Sequence, residues 1–276
     1  MRRSDTAQVL FWSAGSLLAG LVMVGCSRLT FVKPSAERGG YTQVAPDYDV
    51  REDKQERGRT LALEQVAAAG DSLRDGRLDQ AELQARAALK NDAKSADAYT
   101  ILALLAEQQG QAAEAGKHYA KAAELAPTRG TTLNNYGAWL CRNGRAAESL
   151  KLFERALADP SYSTPAAALS NAGTCALQAG QPALADRALR GALEFDPDNA
   201  VALAGLAQSS FDSGNYLQAR GFSQRRLAVA PATPQVLQLA SQIEQKLGDF
   251  KASTRYVERL GAEFPQSQAP RGESQP

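Results

Sequence analysis

From Ala96 to Arg129 the chain alternates polar residues with apolar ones at a spacing of three and four, the period of an amphipathic helix. Tyr99, Leu102 and Ala103 fall on one side of a first predicted helix. Gly110 interrupts the pattern, and Ala115, Tyr119 and Ala122 line a second helix that stops at Pro127. Small residues at Ala103, Ala115 and Ala122 let the two helices approach closely, the large residues fill the space between them, and Gly110 can take the left-handed conformation that ends a helix. One such hairpin cannot bury its apolar face alone. The pattern therefore predicts further copies.

They are present in register. The mid-hairpin glycines Gly76, Gly110, Gly144, Gly180, Gly214 and Gly248 are separated by 34, 34, 36, 34 and 34 residues. The units span 62–95, 96–129, 130–163, 166–199, 200–233 and 234–267, with Thr164 and Pro165 as the insertion between the third and fourth. Pro165, Pro182 and Pro234 can open helices, where the missing N–H is not needed. Asp159-Pro160, Asp196-Pro197, Ala230-Pro231 and Phe264-Pro265 end the second helix of their units, because proline lacks the donor and restricts the residue before it. This is the tetratricopeptide pattern. It predicts an all-α fold over residues 61–267, a right-handed α-solenoid of six tetratricopeptide hairpins whose first helices line the concave face. Gln65 and Ser72 stand in the first unit where large residues are expected. Residues 268–276 are expected to be a disordered tail, so the helix from about Phe250 to Glu263 either caps the stack itself through Lys251, Arg255, Glu258 and Arg259 or is covered by a partner.

The N-terminus reads as an address. Arg2 and Arg3 precede an apolar run from Val9 to Val22, too short for a comfortable membrane span but suited to an export signal. Met23-Val24-Gly25-Cys26 resembles a bacterial lipobox, with methionine where leucine is usual. That resemblance implies a lipoprotein signal peptide over 1–25, cleavage before Cys26 and acylation of that cysteine. Ser27 in place of aspartate implies, by the bacterial sorting rule, the periplasmic face of the outer membrane. The alternative is an uncleaved signal anchor. Pro34, Gly39, Gly40, Pro46 and Gly58 mark residues 26–60 as a lipidated flexible tether. The mixed charges of 51–59 fit a solvated helix start.

Composition excludes more than it proposes. With 44% hydrophobic residues, 22% charged ones and a net charge of +1, the 276 residues can build a core but carry no basic field for nucleic acid. His118 stands alone, with no metal-ligand spacing around it, and reads as a surface residue. No nucleophile elbow, zinc motif, phosphate loop or CxxC occurs. No cofactor, small-molecule substrate or enzymatic activity is expected. Cys141 and Cys175 fall late in the first helices of neighbouring units. If both face the seam a disulfide is feasible in an oxidising compartment, the alternative being two reduced, buried thiols.

Helical geometry also gives a map of the expected groove. Unit two offers Asp97, Thr100, Leu104 and Glu107; unit three Thr131, Asn134, Ala138 and Arg142; unit four Ala167, Ser170, Thr174 and Leu177. Unit five offers Val201, Ala204, Gln208 and Phe211, and unit six Gln235, Gln238, Gln242 and Gln245. The mixed strip suits a peptide or helix. The alternative places the partner on the convex side or an edge.

From unit three onward the residues are less generic. Leu133-Asn134-Asn135-Tyr136-Gly137, Leu140-Cys141, Gly144, Phe153, Ala156-Leu157, Asp159-Pro160, Tyr162, Leu169, Asn171-Ala172-Gly173 and Cys175 follow in order. Tyr216, Ala219-Arg220, Gly248-Asp249 and Phe264-Pro265 continue the series. Together they resemble the type IV pilus biogenesis and stability lipoprotein family (PilF/PilW). That resemblance implies a pilotin, a lipid-anchored, non-enzymatic adaptor that binds the secretin subunit of the pilus system and promotes its localisation and multimerisation in the outer membrane. It also implies a disulfide between Cys141 and Cys175. The competing expectation is another outer-membrane repeat lipoprotein, a scaffold for cell-wall enzymes or for outer-membrane protein assembly.

Overall fold

In the computed structural model, residues 53–268 are described. They form twelve helices in six hairpins: α1 Lys54–Arg74 with α2 Leu78–Asn91, α3 Ala96–Gln108 with α4 Ala112–Leu125, and α5 Gly130–Arg142 with α6 Ala146–Leu157. The series continues with α7 Pro165–Gln178 and α8 Pro182–Phe195, α9 Ala200–Asp212 and α10 Tyr216–Val229, and α11 Pro234–Lys246 and α12 Phe250–Glu263, closed by a 3₁₀ turn at Pro265–Gln268. No strand occurs among the described residues. The expected signal peptide, Cys26, most of the tether and residues 269–276 lie outside them.

The hairpins turn in one way. All six mid-hairpin glycines have φ between 71° and 80°, a left-handed value that a side chain would strain. The residue after each glycine donates its N–H five residues back, as from Gln111 to Ala106 O at 2.8 Å, Arg145 to Leu140 O at 2.9 Å and Asn215 to Ser210 O at 2.8 Å. These bonds satisfy carbonyls that the helix end would otherwise leave open.

Packing follows the small–large pattern. Nine residues after the glycine, Tyr119, Phe153 and Leu189 are almost fully buried, and twelve after it Ala122, Ala156 and Ala192 are inaccessible. Opposite Phe153 and Leu189 stand Gly137 and Gly173, where a Cβ would fall 2.9 Å and 2.5 Å from those side chains. Truncating a buried Phe153 or Leu189 to alanine should cost about 2–5 kcal/mol each. In the first unit, the buried Ser72 is satisfied by donating to Gln84 Oε1 at 2.8 Å, so the small residue there is paired across the hairpin.

The first helix begins at Lys54, seven residues before the expected domain boundary. Asp53 accepts from Gln55 N at 3.3 Å and Glu56 occupies the first turn, both favourable at a helix N-terminus. Gly58, expected to belong to a tether, is instead a packing residue: a Cβ there would lie 2.8 Å from the carbonyl oxygen of Asn91 at the end of α2.

The loop lengthened by the insertion between units three and four packs back on its own hairpin. Tyr162, 9% exposed, covers Gly130, and Asp159 accepts from the Gly130 N–H at 2.7 Å. The longer loop after α6 is thereby pinned to the start of α5. At the end of the stack, Lys251, Arg255, Glu258 and Arg259 on α12 are all exposed.

Candidate protein-binding groove

Each first helix touches the first helix of the next hairpin, from α1 and α3 through α9 and α11, while successive second helices make no comparable contact. The stack therefore bends toward the first helices, and their outward positions line its inner face. Of the residues expected to line that groove, the structure leaves some open and takes others into the stack.

Leu104 and Leu177 are half-buried against the cores of their units, and Ala138 borders the two cysteines. Arg142 is exposed and meets Glu107 at 2.7 Å. The same carboxylate accepts from Tyr119 Oη at 2.7 Å. Burial, reinforced by that hydrogen bond, pushes the Tyr119 phenol far above its ordinary value. Thr100 and Thr174 are half-buried and donate to the carbonyls of Ala96 and Ser170 on their own helices. Gln208 is exposed and donates to Asp212 at 2.8 Å, and Phe211 stands 5.6 Å from the Tyr216 ring.

Two residues expected on the groove are buried. Ser170 is 3% exposed and donates to Ala167 O at 3.1 Å. Asn134 is 9% exposed, and its Oδ1 accepts from Asn171 Nδ2 at 3.0 Å. The Asn134 amide thus serves the joint between α5 and α7, and the Ser170 hydroxyl is turned back onto its own helix. His118 is also not a plain surface residue: its side chain is 19% exposed, its ring lies 6.0 Å from that of Tyr99, and Nε2 is 3.5 Å from Glu114 Oε1.

Cys141 and Cys175 are bonded in the structure, with Cα atoms 5.8 Å apart, joining α5 to α7. Both are nearly inaccessible and pack with Ala146 and Phe153. Chain-entropy reasoning for a crosslink of this span gives about 4 kcal/mol of stabilisation.

On the opposite side the structure holds a feature not anticipated from the pattern. A cleft of about 530 Å³ separates α6 from α8, lined by Leu150, Leu157, Leu169, Ala172, Leu184 and Ala188, with Lys151, Glu154 and Arg187 among its polar residues. It falls at the one joint lengthened by the insertion, the only hint of it in the sequence. Among the described residues, no group of acidic, histidine or cysteine side chains could hold a metal ion, and no helix is long and apolar enough to cross a membrane.

The tetratricopeptide repeat family matches at residues 66–129 and again at 176–243. The type IV pilus assembly protein PilF of Pseudomonas aeruginosa is 27% identical over 170 residues, spanning 61% of this chain and 68% of that protein. The crystal structure of PilW, a widely conserved type IV pilus biogenesis factor, is 30% identical, superposes with a TM-score of 0.69, and covers 75% of this chain and 95% of its own. A solved structure of Pseudomonas aeruginosa PilF superposes with a TM-score of 0.68 over 76% of this chain and 94% of its own. At 23% identity that second likeness speaks to the fold.

Proposed function

This chain belongs to the tetratricopeptide-repeat family of type IV pilus biogenesis proteins, and from that premise we propose that it is a lipid-anchored adaptor, a pilotin, that holds a secretin subunit and carries it to the outer membrane. The observation that carries this reading is the continuous inner face of first helices from α3 to α11, mixed in polarity. Such a surface suits an extended or helical polypeptide.

Work of this kind needs no reaction. The solenoid binds one polypeptide, acyl chains on Cys26 bind the bilayer, and the carrier's own sorting takes the cargo along. Each buried methylene contributes about 0.8 kcal/mol, so two or three chains make a stable anchor where one would be marginal. The Arg2-Arg3 start, the apolar run and Met23-Val24-Gly25-Cys26 support such an anchor. The same groove geometry would serve a scaffold for cell-wall enzymes or outer-membrane assembly, and the test separates these outcomes.

Deleting the gene and running unheated secretin on a gel should show loss of multimers. Cys26→Ser should leave a folded protein and misplaced secretin. Co-purification of the full chain with secretin fragments should recover a complex. Normal multimers in the deletion strain, with no complex recovered, would remove the secretin reading in favour of the scaffold.

A further inference from the structure

Unit five breaks the rule that builds the other cores. Nine residues after the mid-hairpin glycine the chain carries Ala85, Tyr119, Phe153, Leu189 and Val257 in the other units, but Ser223 here. Twelve after it the others carry alanine or Leu260, but unit five carries Arg226. Both replacements are buried, at 4% and 9% exposure. The Ser223 Oγ has no hydrogen-bond partner among the described residues. Arg226 donates only through Nη1, to the carbonyl oxygens of Ala230 and Pro231, each at 3.1 Å, and pairs with no carboxylate among the described residues. The two carbonyls end α10, where a cation is favourable, but they leave a nearly buried charge without a counter-ion, which is costly. The buried carboxylate on α11, Glu244, does not help, since both its oxygens are taken by Arg220.

Ser223 and Arg226 line a cavity of about 120 Å³ together with Ala204, Gln208, Gln235 and Leu239. Ala204, Gln208 and Gln235 stand on α9 and α11 at inner-face positions, so the cavity belongs to the groove. Resting on the groove reading above, we propose that this cavity receives the carboxylate of an aspartate or glutamate side chain presented by the bound polypeptide. The guanidinium supplies the charge and the donors that Nη1 does not use, and Ser223 supplies a hydroxyl that nothing else satisfies. A charge-assisted bond in a site shielded from water is stronger than its neutral equivalent. The volume is about four times the ~30 Å³ share of one water, room for a carboxyl group and its methylene. An amide side chain would fit as well but leave the charge uncompensated. Gln235, exposed beside the cavity and without a hydrogen bond among the described residues, can bond the backbone flanking the inserted side chain.

The test uses the full chain labelled with ¹⁵N-arginine and follows the Arg226 Nε–H resonance, assigned by its loss in Arg226→Lys. Titration with N-acetyl-glutamate N-methylamide should move that resonance saturably, and N-acetyl-glutamine N-methylamide should bind about tenfold more weakly, the neutral amide lacking charge assistance. Ser223→Ala removes one donor without touching the charge and should weaken the glutamate probe several-fold, with a circular dichroism spectrum unchanged from the parent. No movement with the glutamate probe, or an equal response to the glutamine probe, overturns the proposal. Tighter binding of N-acetylglycine, which offers a terminal carboxylate, overturns the assignment to a side chain. No secretin enters the titration, so a negative result here leaves the adaptor reading to be judged by co-purification.

Discussion

Gly116 lies directly against the indole of Trp139: a Cβ built on Gly116 would fall 2.4 Å from the Cη2 ring carbon and 2.5 Å from Cζ2. The contact crosses from α4 to α5, so the absence of a side chain in unit two sets how closely unit three stacks on it. The ring is 8% exposed and is also flanked by Tyr119 and Tyr136, which leaves it little room to move. Gly116→Ala should therefore destabilise by about 1–3 kcal/mol, the overpacking cost exceeding the helix-propensity gain. Gly221, mid-helix in α10 with nothing within 4 Å of its Cβ position, should show the reverse. Gly221→Ala is expected to stabilise by about 0.5–1 kcal/mol. Urea unfolding of the two variants beside the parent chain gives both signs in one experiment.

Arg220 grips both oxygens of Glu244, whose side chain is 5% exposed while the arginine's is 30% exposed. The pair joins α10 to α11, and the hydrogen bond to Glu244 holds the Arg220 guanidinium above its ordinary value. The asymmetry in burial decides which partner matters more. Removing Arg220 strands a carboxylate out of water, whereas removing Glu244 leaves a guanidinium that can reach solvent. Arg220→Ala should cost about 3–5 kcal/mol, and Glu244→Ala clearly less. Equal losses, measured as shifts of the unfolding midpoint, would mean that Glu244 reaches water in the folded chain.

The hairpin register was legible because it is written six times. One glycine per unit, a proline at most unit ends and alanines at fixed offsets leave little freedom in placing the helices, and every mid-hairpin glycine is left-handed in the structure. What crosses between units was harder to read. A helical period places Asn134 and Ser170 on outward positions, but it does not show that Asn171 of α7 packs over Asn134 and binds its amide, or that Ser170 is buried with its hydroxyl on its own helix. The early start of α1 was hidden for a similar reason, because Gly58 looks like a linker residue until the carbonyl of Asn91 is placed beside it. The Ser223 and Arg226 substitutions were visible in the aligned units, but their meaning depends on the cavity they border.

The crosslink between α5 and α7 gives a third expectation. Cys141 and Cys175 are 34 residues apart in sequence, and opening that loop frees the unfolded chain. Reductant should lower stability by about 2–4 kcal/mol, read from urea unfolding with and without dithiothreitol under otherwise equal conditions. A Cys141→Ala, Cys175→Ala variant should match the reduced parent and no longer respond to reductant. A parent chain that ignores reductant while its thiols titrate as free would show that the bond contributes nothing to the folded state.

His118 supplies the pH dependence. Burial lowers its pKa from the ordinary 6.5, Arg86 and Lys117 act in the same direction, and Glu114 opposes them. Glu114 is shared with Lys117, which donates to its other oxygen at 3.0 Å, so it offsets the burial only in part. The unfolded chain therefore takes up the proton at higher pH than the folded one, and stability falls as pH is lowered wherever the unfolded state binds more protons. The contribution of neutral His118 is fully present above about pH 6.5 and is lost as pH drops through the interval between that value and the lower folded pKa. His118→Gln, which keeps a polar side chain but does not titrate there, removes this slope. The stability difference between parent and variant should stay flat above about pH 7.5 and shift against the parent below about pH 6.5. A parent that instead gains on the variant as the solution is acidified would mean that Glu114 outweighs burial, and that the ion pair sets the protonation state of this histidine.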